Sequence, residues 1–413
     1  MDGVYVSGAR LIKNLQGYNI PPSLFLFASH LGNPPIVNLI AFPLAFFLHP
    51  VLGSATLLSI NFSEWLNCAL KLILNDDRPY WWVKEHSKTG LQLKHFPITC
   101  ETGPGSPSGH CMVSVAGWLP IILFVRHQYS RFGSVLCFVF LICVGVVATS
   151  RLYVAAHFPH QVIFGTILGA VIGLSFYTWT QSYTQKNQCL FENKTFNEIR
   201  PSLLLCPQNL VFIAVGSFIM SKIVGIALSH VGVDVHRSYR FALDACDRPE
   251  WIHASTSIDA SYARVMGAIL GLALALVFRP LMPHCSPRSA VTLKRLVLSS
   301  VICAIASSVF KAIAQFIGFQ LARFASYISV DSDTLFLLSM VIQSAVCPVI
   351  VALVFPICFA RACVRDNAFF DPHSASDTSV SHDESPSAPL VIDHTSGASS
   401  LKCRRSRPTS RRS

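Results

Sequence analysis

Lys71 and Arg78, in the stretch KLILNDDRP, stand seven residues apart. On an uninterrupted helix that spacing is close to two turns, so both cations face one side about 10 Å apart and can converge on one anion. Taken singly, the pair reads equally well as two cations snorkelling to a membrane interface. In CETGPGSPSGH, the residues Pro107, Ser108, Gly109 and His110 form a Gly- and Ser-rich turn feeding an apolar run. Such a turn presents unpaired backbone amides at the positive end of a helix dipole, a setting that suits a phosphate, with His110 beside it. The bland reading is an interfacial loop with an incidental His. In SRLYVAAHFPHQ, Ser150 and Arg151 precede His157. Six positions apart on one helix, Arg151 and His157 would lie on different faces, so the chain is expected to break between them and restart at Pro159, a residue favoured at the first helical position. His157 then stands just ahead of a helix N-terminus, where negative charge on its ring is tolerated. His160 competes with it, and an interfacial His packed near Phe158 is the bland reading.

The elements that must position these residues are membrane helices. Of the 413 residues, 52% are hydrophobic and only 13% charged, against roughly a quarter charged in an average soluble domain. A bilayer core about 30 Å thick takes roughly 20 apolar residues per spanning helix, and runs of that kind recur along almost the whole chain. They predict an all-α polytopic membrane protein of nine spans, at 24–48, 52–74, 111–125, 135–149, 161–179, 210–229, 265–277, 296–321 and 334–359. The first carries Pro34 and Pro35 and is expected to kink there. Three domains follow: an N-terminal segment 1–22, a nine-helix membrane domain 23–365, and a disordered basic tail 366–413, where the composition shifts to Ser, Asp, His, Pro and Arg.

Arg126, Arg131, Lys186, Lys194, Arg200, Arg279, Arg288, Lys294, Arg295 and the tail arginines fall on one side of this topology. Cytoplasmic loops collect positive charge, so that side is read as cytoplasmic. The N-terminus and all three polar motifs then face the lumen or exterior. The net charge of +11 is distributed over loops and tail, which fits inside-positive topology and points away from nucleic acid. Residues 1–22 lack the pattern of a removable signal, and the first span is read as the insertion signal. Most of the fourteen cysteines, Cys68, Cys111, Cys137, Cys143 and Cys303 among them, fall in apolar spans, where Cys behaves as a small hydrophobe. Cys100 and Cys246 lie in loops on the opposite side, where a bridge between them can form. No Cys or His spacing reads as a zinc site.

The conjunction K-x6-RP, PSGH and SR-x5-H, in this order at span ends on one side, resembles the phosphatase signature of the type-2 phosphatidic acid phosphatase superfamily. RPYWWV at 78–83, FPITCETGPGSPSGH at 96–110, SRLYVAAHFPHQV at 150–162 and CDRPEWIH at 246–253 look, more narrowly, like the glucose-6-phosphatase catalytic subunits. That resemblance runs from the first span to about residue 365. It implies nine spans, a luminal active site in the endoplasmic reticulum membrane and hydrolysis of glucose 6-phosphate through a phosphohistidine. Carried onto this sequence, His157 is the nucleophile and His110 the general acid, then the general base. Lys71, Arg78 and Arg151 hold the phosphate oxygens with Ser108 and the amide of Gly109. No metal or cofactor is implied. A glucose-6-phosphate transporter is the partner such a luminal site would be coupled to. Many superfamily members place an Asp four residues after the nucleophilic His; here that position is Gln161, which leaves Asp76, Asp77 and Glu101 as candidates to orient His157. A lipid phosphate phosphatase using the same residues is the alternative enzyme. A hexose or phosphate transporter is the alternative of another class, kept open by Lys222 and Lys311 within spans. The sequons at Asn61 and Asn193 fall in a span and a cytoplasmic loop, so neither is expected to be glycosylated.

Overall fold

Proline sets the starts of six of the thirteen α-helices among the described residues. In the computed structural model, which describes residues 2–128, 130–187, 202–277, 293–325 and 332–369, α2 (Pro22–Leu31), α3 (Pro34–Leu48), α4 (Pro50–Leu74), α5 (Pro79–Glu85), α8 (Pro159–Lys186) and α9 (Pro207–His230) all begin on Pro. The missing amide proton is one the first turn could not use. The others are α1 (Asp2–Gly17), α6 (Gly109–Gln128), α7 (Ser130–Tyr153), α10 (Arg237–Ala245), α11 (Ile258–Val277), α12 (Leu293–Ala325) and α13 (Ser332–Phe369). Among the described residues there is no strand, only an isolated bridge between Glu101 and His253.

Among the described residues eight helices are long and apolar enough to cross a bilayer, and the pair α2 and α3, bent by 56° at Gly32 and Asn33, brings the number to nine if it counts as one span. The kink expected at Pro34 is this bend. The seventh span starts at Ile258, earlier than its apolar run, because Ser261 and Arg264 belong to the same helix. The expected tail lies outside the described residues beyond Phe369, as does Asn193. Asn61 is buried in α4 and donates to Leu57 O.

Two helices form the interior of the bundle. The first is α4, packed against α3, α6, α8 and α11; the second is α11, packed against α9 and α13. By contrast α7 turns Phe132, Val135, Phe138 and Leu141 outward, the surface a lipid-facing helix presents. At one end of the bundle, α1, α5, α10 and the loops 86–108 and 246–256 make a cap. Its core is Ala9, Ile12, Tyr80, Trp81, Trp82 and Phe158. The N-terminal segment, read from the sequence only as a segment, is thus a helix. Its buried residues Ala9, Ile12 and Gln16 recur at helical spacing, and the Gln16 amide donates to Tyr153 O and Lys94 O at 2.6 and 3.0 Å. This ties the cap to the end of α7.

Candidate active site

The three motifs meet at the capped end, but not through one long helix. Asn75, at φ 43°, stops α4, and Arg78 is the residue preceding α5. Lys71 and Arg78 therefore approach the site from two elements, and the expectation of a shared helical face is corrected: three polar residues, Asn75, Asp76 and Asp77, favour a turn there over continued helix. Arg78 is fully buried, with Nε donating to Gly103 O at 2.6 Å, Nη1 to Ala156 O at 3.0 Å and Nη2 to Pro104 O at 3.1 Å. Those carbonyls fix the guanidinium plane between the second and third motifs.

The break between Arg151 and His157 is present. After Tyr153 the chain turns through Ala155, at φ 55°, and α8 begins at Pro159. The His157 ring is completely buried, and its Nδ1 lies 2.8 Å from Gly105 O. A carbonyl only accepts, so Nδ1 carries the proton and Nε2 keeps its lone pair. Nε2 is 3.4 Å from Arg78 Nη1. Burial first, and then the Arg78 guanidinium, hold the His157 pKa well below the usual histidine range. The ring is a neutral imidazole with its free lone pair turned toward the cations.

The group that orients His157 is thus a backbone carbonyl, and none of the three carboxylates considered for that task performs it. Gln161 acts one step behind. Its Oε1 accepts from Phe158 N at 3.0 Å, and its Nε2 donates to Asp77 O at 2.6 Å and to Asp76 Oδ2 at 2.9 Å. Ser108 N donates to Gln161 O at 3.0 Å, and Gly105 N to Asp76 O at 2.8 Å. A Cβ on Gly105 would come within 2.5 Å of both Asp77 O and Gln161 Nε2, so this contact needs glycine. His160 is directed elsewhere, 3.3 Å from Asp76 and stacked on Phe158, and does not share the His157 pocket. Asp77 is engaged by Arg237 at 2.8 Å and by Trp81 Nε1 at 3.1 Å.

Glu101 occupies the centre. Its Oε2 is 2.9 Å from Arg78 Nη2 and 3.9 Å from His157 Nε2, whereas Oε1 pairs with Arg151 Nη2 and lies 3.7 Å from His110 Nδ1. Burial pushes the carboxyl up, but Arg151 and Arg78 together outweigh it and hold its pKa well below the usual carboxylate range. Arg151 Nη1 donates to Ser29 Oγ at 2.5 Å, and Nε is buried with no hydrogen-bond partner among the described residues. Lys71 lines a cavity together with Glu101, Gly109 and His110, and its ammonium makes no hydrogen bond or ion pair with a described residue. Gly109 and His110 open α6, so neither amide has an intrahelical acceptor. Ser108 Oγ is buried beside the Cys111 thiol with no hydrogen-bond partner of good geometry among the described residues.

The arrangement can bind a tetrahedral anion, present a nitrogen lone pair to it, and pass a proton on a second imidazole. Ser29, Glu101 and the Gly105 carbonyl were not singled out for these roles from the sequence. Glu64 and Asn67 were missed as well, although Glu64, Asn67 and Lys71 at spacings of three and four in an apolar helix did mark a polar stripe. Asn67 Nδ2 donates to Pro107 O at 3.0 Å and supports the Ser108 turn. The aromatic RPYWWV stretch belongs to the scaffold. Tyr80 OH donates to Glu101 O at 2.9 Å and Trp82 stacks on Tyr5. The PEWIH loop is stapled to the site by the Cys100–Cys246 disulfide, with Cα atoms 5.9 Å apart, by the Glu101–His253 bridge and by Thr102 N donating to Thr256 Oγ1 at 3.2 Å. Among the described residues, no group of three or more His, Cys, Asp or Glu has the placement to hold a metal ion.

Cations closing on an anion-sized space, with two imidazoles at the end of a membrane bundle, are the features of a membrane phosphatase centre. Residues 53–185, which span all three motifs, match the family model of the PAP2 superfamily. The chain is 36% identical over 267 residues to glucose-6-phosphatase 3 of Homo sapiens, covering 62% of this chain and 70% of that protein. It is 29% identical over 377 residues to glucose-6-phosphatase 2 of Mus musculus, covering 87% and 96%. To glucose-6-phosphatase catalytic subunit 1 of Bos taurus it is 34% identical over 254 residues, covering 57% and 65%. No solved structure matches it. The chain belongs to the glucose-6-phosphatase family.

Proposed function

We propose that this protein hydrolyses glucose 6-phosphate to glucose and inorganic phosphate, with His157 as the nucleophile, at the luminal face of the endoplasmic reticulum membrane. The observation that carries the reading is the neutral His157 ring, locked by Gly105 O with its lone pair aimed at an anion position framed by Arg78, Arg151 and His110. A phosphomonoester dianion repels a nucleophile, so Lys71, Arg78 and Arg151 offset its charge and that of a transition state spread over three oxygens. Ser108 and the Gly109 amide add donors at the α6 N-terminus. His157 Nε2 attacks phosphorus and the bond to the sugar oxygen breaks; that oxygen takes a proton from His110. In the second step His110 removes a proton from water, the water oxygen attacks phosphorus, and the nitrogen–phosphorus bond breaks to release phosphate and neutral His157. Two moderate steps replace one steep one.

The compartment is supported by the Cys100–Cys246 disulfide, which needs an oxidising space, and by the Lys and Arg distribution along the sequence. The N-terminus is then luminal and the C-terminus cytoplasmic, and substrate reaches the site through coupling to a glucose-6-phosphate transporter. Purified protein incubated with 32P-labelled glucose 6-phosphate and quenched in base is expected to hold acid-labile, base-stable phosphate. His157→Ala is expected to abolish the label, and His110→Ala to slow turnover of the sugar ester roughly 10²- to 10⁴-fold. Undiminished label on His157→Ala would remove His157 from the role of nucleophile.

A further inference from the structure

Beside the anion site a cavity of ≈ 300 Å³ runs into the bundle between α4, α11, α12 and α13, near the lower end of small-ligand sites. Of the two imidazoles only His110 lines it, with Gly109, Lys71 and Glu101 on the same wall. In-line displacement sends the leaving oxygen away from His157 and toward His110. The released alcohol must therefore enter this cavity, whose far wall is polar although it lies within membrane helices. Arg264 donates twice to Glu64 Oε1, from Nη2 at 2.8 Å and from Nε at 3.2 Å, and Oε2 accepts no hydrogen bond from a described residue. Gln343 is buried, with Nε2 donating to Ser339 Oγ at 2.7 Å and Oε1 3.4 Å from Gln315 Nε2. Lys311 faces the same space without a hydrogen bond or ion pair to a described residue.

We infer that this cavity is the leaving-group subsite, and that Gln343 and Lys311, with Glu64 and Arg264, select an uncharged polyhydroxylated alcohol such as a hexose. This rests on the proposed phosphatase reading and deepens it. Ionisable groups inside a bilayer are costly and are kept where they bind or relay something. Alternating donors and acceptors around one space fit a ring of hydroxyls. An acyl chain would leave them unpaired, so a lipid leaving group does not suit this wall. Phenyl phosphate, which carries no hydroxyl on its leaving group, provides the control.

The test uses the full-length protein in detergent, with kcat/KM measured for glucose 6-phosphate and for phenyl phosphate on the same preparation. Their ratio does not depend on the fraction folded. Gln343→Leu and Lys311→Met are each expected to lower it roughly tenfold, mainly through KM for the sugar ester. A fall beyond threefold in either variant supports the subsite, and a ratio within threefold of the unaltered protein in both overturns it. If the unaltered protein does not turn over glucose 6-phosphate at all, the phosphatase reading beneath it is overturned instead, a result distinguishable before any variant is made.

Discussion

Glu101 sits where the phosphoryl oxygens of the proposed substrate must go, and the two compete for the guanidinium groups of Arg78 and Arg151. With Lys71 the site holds three cations against this one carboxylate, which leaves a net charge opposite to that of a phosphomonoester dianion. Glu101→Gln removes the competitor, and inorganic phosphate is expected to inhibit about tenfold more tightly, since charges a few ångströms apart interact by several kcal/mol even at an effective dielectric of about 20. An unchanged inhibition constant at fixed pH and salt would show that Glu101 does not contest the site. His157 gives a pH prediction. Its pKa is depressed in the folded protein, so the ring stays neutral while the unfolded chain, near pH 6.5, takes up a proton. This group therefore withdraws stability as pH falls below that value, and the acid limb of kcat/KM belongs to the second phosphate ionisation, near pH 6. Substrates with different phosphate pKa values should move the limb; a fixed midpoint would return it to the enzyme. The spacing of the motifs made Lys71, Arg78, His110, Arg151 and His157 legible. The orienting group for His157 was not, because a backbone carbonyl leaves no mark on residue identity, and Glu101 reaches the centre through a loop whose path no local pattern encodes.

At the scale of elements, six helix starts were written in the prolines and the break before α8 in Pro159, but the stop at Asn75 was hidden behind a spacing that also fits a continuous helix. Close packing of α8 on the Ser108 turn was likewise invisible. There a Cβ on Gly165 would meet Ser108 O at 2.5 Å, a backbone atom that cannot swing away. Gly165→Ala is expected to cost about 1–3 kcal/mol through overpacking and to lower kcat, because the same turn carries Gly109 and His110. Thermal unfolding in detergent and steady-state turnover would check both. Wild-type values in each would mean that α8 can retreat without disturbing the turn. The N-terminal helix escaped notice for a different reason. Its apolar stripe is short, and only the aromatic cap formed by Tyr80, Trp81 and Trp82 gives that stripe something to cover.

For the whole molecule, composition carried most of the information: apolar run length gave the spans, and Lys and Arg placement is the basis of the proposed orientation. With the bent pair α2 and α3 counted as one span the number is nine, which puts the termini on opposite sides. In sealed microsomes an N-terminal epitope is therefore expected to resist added protease and a C-terminal one to be removed. The reverse pattern would invert the orientation, and protection of both would change the span count. The cavity wall drawn from α4, α11, α12 and α13 was less readable, since Lys311 and Gln343 lie 247 and 279 positions from Glu64 and Arg264 lies 200 away; only packing brings them together.

The staple between Cys100 and Cys246 joins residues 146 apart, and the second of them is synthesised long after both histidines. Glu101, next to the first cysteine, gains its tie to the later loop only when that loop has arrived and been oxidised. A nascent chain still threading into the bilayer thus carries every residue of the chemistry and no finished pocket. In the proposed orientation the site closes only after the loop carrying Cys246 has arrived, so the compartment that supplies the oxidant also bears on when hydrolysis starts.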